Sequence, residues 1–152
     1  RIVDCDRGIG FGLGDRGHSG GIIANNMVHT TRDVGIGLEN AAAAKVYNNS
    51  VFTENYDNSI EYRFSGSSGI SIINNLSTGL IASRDGASAT LDSNYTQADS
   101  AFFTDAAAGD LHLAGAHSAV VDAGTALAEV IRDIDCEHRP KGAAVDIGAD
   151  EY

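Results

Sequence analysis

The sequence has no apolar run long enough to cross a membrane as a helix, no tryptophan, one proline, two cysteines and two lysines. A helical span needs about 18 or more consecutive apolar residues, so a membrane span of that kind is excluded. No basic stretch followed by an apolar one opens the sequence, so we expect no export signal within these residues. Patterned sequence begins directly at Arg1, and we expect these residues to be the C-terminal part of a longer parent. Cys5 and Cys136 lie 131 positions apart, a spacing that makes no metal site and leaves either two free thiols or one long-range bridge. Basic residues are scarce too: 10 Lys and Arg against 21 Asp and Glu give a formal charge of −11. Such a surface opposes nucleic acid and anionic membranes and is compatible with calcium or a saline setting.

Helix formers are concentrated in two places. AAAAK (41–45) is helical by propensity but short and lies inside a repeating pattern, while ALAEVIRD (126–133) has the length for a turn or two of helix. Glycine is abundant, with 18 residues, and asparagine is frequent, a composition of short strands and tight turns. The asparagines are phased. IIANNMVHT (22–30), KVYNNSVFT (45–53), SIINNLSTG (71–79) and a weaker TLDSNYTQA (90–98) align on Asn26, Asn49, Asn75 and Asn94, at spacings of 23, 26 and 19. Before each lies another short run with period-two alternation, so each unit reads strand, turn, strand, asparagine turn, strand. One unit cannot bury its apolar face, but stacked units can, each pairing in parallel with the next. Asparagine suits the corner because it tolerates a left-handed backbone and bonds locally. Stacked at one position, Asn26, Asn49, Asn75 and Asn94 can form an axial ladder. Leucine-rich spacing is missing and propeller blades are longer, about 40 residues. A β-sandwich of about seven strands is the competing architecture, and the phased pairs favour the solenoid.

Several apparent motifs fail on context. GLGDRG (12–17) matches a dinucleotide-binding glycine pattern, but HSGGIIANN follows and cannot start the helix that such a site requires. N-x-S/T triplets at Asn48, Asn75 and Asn94 arise because a small polar residue follows the corner. His18, His29, His112, His117 and His138 show no paired metal-ligand spacing, and neither a nucleophile elbow nor a Cys-His arrangement is present. Alternation places Gly10, Gly12 and Gly14, then Gly37 and Glu39, then Glu61 and Arg63, then Ile81 and Ser83 on the outside of the first strands. This gathers His18, Glu39, Glu61, Arg63, Arg84 and Asp85, with Asp15 and Arg16, into a candidate groove for an extended polymer.

DLHLAGAHSAVVDAGTA (110–126) and DIDCEHRPKGAAVDIGADEY (133–152) resemble the terminal segment of bacterial right-handed parallel β-helix proteins of the pectin-lyase-like superfamily. Asp110, Leu113, Ser118, Asp122, Gly124, Asp133, Asp135, Arg139, Pro140, Asp146, Ile147, Gly148, Ala149 and Glu151 carry the likeness, and Cys136 departs from it where that pattern has glycine. The resemblance implies an all-β, right-handed parallel β-helix of about four coils over residues 1–105. Residues 106–152 would be a C-terminal capping segment of the same domain, in a bacterial extracellular, cell-surface or periplasmic protein. Asp122, Asp133, Asp135, Arg139 and Asp146 are expected to satisfy exposed backbone groups of the last coil, with Arg139 at the centre of an ion pair.

The resemblance also implies polysaccharide as partner, through a lyase or glycoside hydrolase or a noncatalytic surface module. A lyase needs a cation for the uronate carboxylate, a base and an acid; calcium, Arg63, Arg84 or Lys45 could serve as the cation and His18 or Lys45 as the base. No catalytic motif matches, so the chain is expected to hold no complete active site. The alternative is a structural solenoid that associates with itself through its N-terminal coil.

Overall fold

The computed structural model describes residues 1–152 as a parallel β-solenoid of about four coils with a C-terminal segment laid along its side. A strand β1 (Ile2–Cys5) precedes the first full coil. That coil is β2 (Ile9–Phe11), β3 (His18–Ser19), β4 (Ile22–Ala24) and β5 (Met27–Thr30). The second is β6 (Ile36–Glu39), β7 (Ala41–Ala42), β8 (Lys45–Tyr47) and β9 (Ser50–Thr53). The third is β10 (Asn58–Arg63), β11 (Ile70–Ile73) and β12 (Leu76–Ser77), and the fourth is β13 (Leu80–Arg84) and β14 (Ala89–Asp92). Three four-stranded parallel sheets result, β2-β6-β10-β13, β4-β8-β11-β14 and β1-β5-β9-β12, and β3 pairs in parallel with β7. A hairpin of β15 (Phe103–Asp105) and β16 (Asp110–Leu113) follows. The AAAAK stretch forms β7 and the start of β8. ALAEVIRD makes a turn at 128–129 and no helix; Lys45 holds Glu129 at 2.6 Å and Asn25 holds the Arg132 carbonyl.

Register stacks like residues along the axis. Ile9, Ile36, Ile60 and Ile81 form one column, Ile23, Val46, Ile72 and Leu91 a second, and Val28 over Val51 a third. Val28, Ile36, Val46, Val51, Ile60 and Ile72 are fully buried, so this interior is a continuous aliphatic core. The third sheet is apolar on its outer face as well. Met27 and Leu76 pack there against Phe103, Leu111, Leu113, Val120, Ile147 and Ala149 of the C-terminal segment, making a second core.

Each asparagine pair divides two tasks. The first residue, Asn25, Asn48 or Asn74, takes the left-handed backbone with φ between 49° and 59°, and Ser93 does so in the fourth coil. The second residue builds the ladder. Nδ2 of Asn26, Asn49 and Asn75 donates to Oδ1 of Asn49, Asn75 and Asn94 respectively, each at 2.9 Å. The backbone N–H of each donor residue reaches the same oxygen at 2.9–3.1 Å. Asn49 and Asn75 are fully buried, so these bonds satisfy groups that water cannot reach. Burial of Asn48 and Asn75 leaves them no surface for glycosylation.

The side chains of the first asparagines turn outward and hold the C-terminal segment. Asn25, Asn48 and Asn74 donate to the backbone carbonyls of Arg132, Asp146 and Thr125 at 2.6, 3.1 and 2.7 Å. The segment therefore covers the corner of all four coils, with Thr125 Oγ1 meeting Ser93 and Asp92 of the last, and the third sheet, while Leu80 and Leu91 of the last coil remain exposed. Its carboxylates serve its own backbone rather than the end of the last coil. Asp122 accepts from Ala144 N, and Asp146 from Asp122 N and Tyr152 N. Asp133 accepts from Asp135 N, Glu137 N and Glu151 N. Arg139 is the buried ion-pair centre, 2.5 Å from Glu151 and donating to Gly148 O at 2.8 Å. The backbone comes so close at Gly148, with φ 115°, that a Cβ would lie 3.0 Å from Ser50 Oγ. Cys5 and Cys136 are free thiols.

Candidate functional site

The outer face of the first sheet begins bare and ends charged. Gly10, Gly37, Glu61 and Ala82 occupy one row across β2, β6, β10 and β13, and Glu39, Arg63 and Arg84 the next. Glu61 is buried and is the centre of the cluster. It accepts from Tyr56 Oη at 2.9 Å, Asn58 Nδ2 at 2.8 Å and Arg84 Nη1 at 3.1 Å, and Arg63 Nε stands 3.7 Å away. Arg63 pairs with Asp85 at 2.9 Å and lies over the Phe64 ring, 4.9 Å from its centroid. Glu39 has its own partners, Gly14 N at 2.7 Å and Arg7 Nη1 at 3.3 Å. The GLGDRG stretch is accordingly a tight turn closed by Leu13 and Arg16, with Gly14 N as a carboxylate donor.

Five of the six candidate groove residues, Glu39, Glu61, Arg63, Arg84 and Asp85, thus lie on one face. His18 does not join them: it sits on β3 with its ring 4.2 Å from that of Phe11 and its Nε2 buried without a partner. Lys45 is on the second sheet, paired with Glu129. Ile81 points inward rather than outward, and Ser83 lies on the same side of the strand, beside Tyr62. The register shifts between Asn58 and Ile60, so Ile81 lies beside Ile60 and packs on the core while Ala82 faces out beside Glu61. Leu13 is likewise exposed in its turn. Tyr56 and Asn58, two of the donors that define the cluster, are absent from the sequence-derived groove. Tyr56 comes from the loop before β10 and Asn58 from the first position of that strand, ahead of the register shift, so neither carries a periodic signal.

Burial pushes the Glu61 carboxyl up, but hydrogen bonds from Asn58, Tyr56 and Arg84 outweigh that effect and hold it below its usual 4.5. Tyr56 is raised, chiefly by its bond to Glu61, and Arg84 likewise. Glu61, Tyr56 and Arg84 are thus each held further from neutrality than the free groups. A carboxylate with a depressed folded-state value contributes stability that is present above its unfolded value and lost as pH falls through the folded one. Below about pH 5 the melting temperature of the wild-type protein should therefore drop more steeply than that of Glu61→Gln. Parallel acid limbs in thermal melts would contradict the assignment.

Beside the cluster is a polar cleft of about 390 Å³ lined by Thr53, Glu54, Tyr56, Asp57, Thr78, Gly79, Leu80 and Thr96. It shares Leu80 and Thr96 with a neighbouring hollow of about 360 Å³ along β13 and β14, where Ile81 and Leu91 add apolar surface. Tyr56 links the cleft to the charged cluster, since its hydroxyl is spent on Glu61 while the residue lines the cleft. Elsewhere, Asp135 stands apart from the other terminal carboxylates, in contact with His112 at 2.9 Å. No protein-family model, curated protein or solved structure matches this chain.

Proposed function

We propose that this solenoid is a noncatalytic module that binds an uncharged polysaccharide across the cleft at Tyr56. The carrying observation is the pairing of hydroxyl and carboxylate groups around a cleft of about 390 Å³, beside cations that are already neutralised by Glu61 and Asp85. Sugar binding calls for many hydrogen-bonding groups and a flat ring; Thr53, Thr78, Thr96, Glu54 and Asp57 supply the first and Tyr56 the second. Glu54 and Asp57 would repel a uronate polymer, and no free arginine in the cleft would answer its carboxylates. The likeness of residues 110–152 to pectin-lyase-like β-helices supports carbohydrate as the ligand class, and the saturated Glu61 supports binding without turnover.

Affinity electrophoresis against neutral glucans and xylans, with pectate and alginate as charged comparators, tests this reading. Retardation by a neutral polymer is expected, weakened by at least about tenfold in Tyr56→Ala, as for an aromatic anchor in a pocket. Retardation by pectate alone, or release of unsaturated products, would overturn it.

A further inference from the structure

The C-terminal segment brings together four side chains from three separate stretches of chain. Asp110 and His112 project from β16, Asp135 from the 133–137 loop and Asp150 from the tail. A donor atom from each of His112, Asp135 and Asp150 lies within 4.8 Å of the other two. Nδ1 of His112 is bonded to the Asp110 carboxylate, and Nε2 is 2.9 Å from Asp135 Oδ2. Asp150 is nine-tenths buried, with a relative exposure of 9%. Oδ2 of Asp150 accepts from Leu113 N at 2.9 Å, and its other oxygen takes no hydrogen bond. Three carboxylates, Asp110, Asp135 and Asp150, thus face one imidazole, and one Asp150 oxygen remains open for a ligand.

We propose that His112 Nε2, Asp135 and Asp150 bind one divalent transition-metal ion of the zinc class, with Asp110 fixing the imidazole tautomer from behind. A carboxylate on the far ring nitrogen is the usual support of a metal-binding histidine, because it orients the ring and leaves Nε2 free to bind. Donor atoms around a tetrahedral zinc ion sit about 3.3 Å apart, so small rotations of the exposed Asp135 and of the idle Asp150 oxygen close the set. On binding, the ion takes the position of the proton between Nε2 and Asp135, and that proton leaves to solvent. A nitrogen donor beside two carboxylates favours zinc over calcium, which takes oxygen ligands throughout. Asp133 stays outside the set, since both its oxygens are occupied by backbone N–H groups. The remaining histidines are engaged elsewhere: His117 stacks on Phe102, His29 meets Glu54, His138 meets Arg132 and His18 packs on Phe11. An ion here would tie β16, the loop and the tail together, and its binding would raise thermal stability by mass action. The site uses none of the cleft residues and stands independently of the carbohydrate reading.

Calorimetric titration of the chelator-treated full chain with zinc chloride tests the site. It is best done in a Cys136→Ser background, because the exposed thiol two positions from His138 could itself take zinc. One zinc per chain is expected, with a higher melting temperature and no comparable uptake of calcium. Asp135→Asn, at an exposed position, should bind at least about tenfold more weakly with its metal-free melt unchanged, and His112→Gln should lose the site. Asp110→Asn keeps every ligand and should weaken binding by about 10–100-fold. No saturable uptake, uptake retained in both Asp135→Asn and His112→Gln, or calcium binding tighter than zinc would overturn the proposal.

Discussion

Asn49→Val is expected to lower the melting temperature by roughly 10 °C, from a loss of about 3–5 kcal/mol. Valine restores none of its bonds. In the wild type Asn49 donates from Nδ2 to Asn75 Oδ1, Tyr47 O and Ile23 O, and its Oδ1 accepts from Asn26 N and Nδ2. Removing it strands buried groups on the coils above and below, each costing about 1–3 kcal/mol when left unpaired. Asn26→Val should cost less, because Asn26 is part-exposed and no asparagine donates to its Oδ1. Thermal melts followed by circular dichroism rank the two. Equal melting temperatures for the wild type and Asn49→Val would show that the axial bonds contribute nothing net.

The two roles within each corner explain how much of the fold could be read in advance. A left-handed residue followed by a ladder residue is a local demand repeated once per coil, so Asn48-Asn49 and its partners mark the coils in the sequence itself. The side of the C-terminal segment that faces the coils has no such mark. Its contacts with Asn25, Asn48 and Asn74 are made by its carbonyls at 132, 146 and 125, and every residue has a carbonyl. The inward turn of Ile81 was hidden for a related reason. A slip of one residue between Asn58 and Ile60 reverses which side chains of β13 face out, and nothing in the alternation of Leu80–Arg84 announces it. Glu61, Arg63 and Arg84 were legible because charges break an apolar alternation. Tyr56 depends on a loop path, Asn58 on the register shift that follows it, and the meeting of His112 with Asp135 and Asp150 on pairings 23 to 38 positions apart.

Arg139→Met should separate the segment from the coils. The Arg139 and Glu151 side chains are 1% and 0% exposed, so methionine fills space but leaves a carboxylate buried without its cation. Breaking one partner of such a pair costs about 3–5 kcal/mol. Glu151 also accepts from Asp146 N and Lys141 N, and Arg139 reaches Asn25 Oδ1, so the loss spreads from the tail to the first coil. Hydrogen exchange should locate it. The amides of Leu113, Ile147 and Gly148, bonded to Asp150, Val120 and Asn74, should exchange faster, while those of β8 and β10 keep their protection. This division is expected because the solenoid interior and the core under the segment are distinct apolar clusters. Adding Glu151→Leu should recover part of the loss, since an apolar pair of similar volume removes the stranded charge. Uniform loss of protection in the single variant would mean instead that Met27 and Leu76, which face the segment from the third sheet, couple the two cores into one cooperative unit.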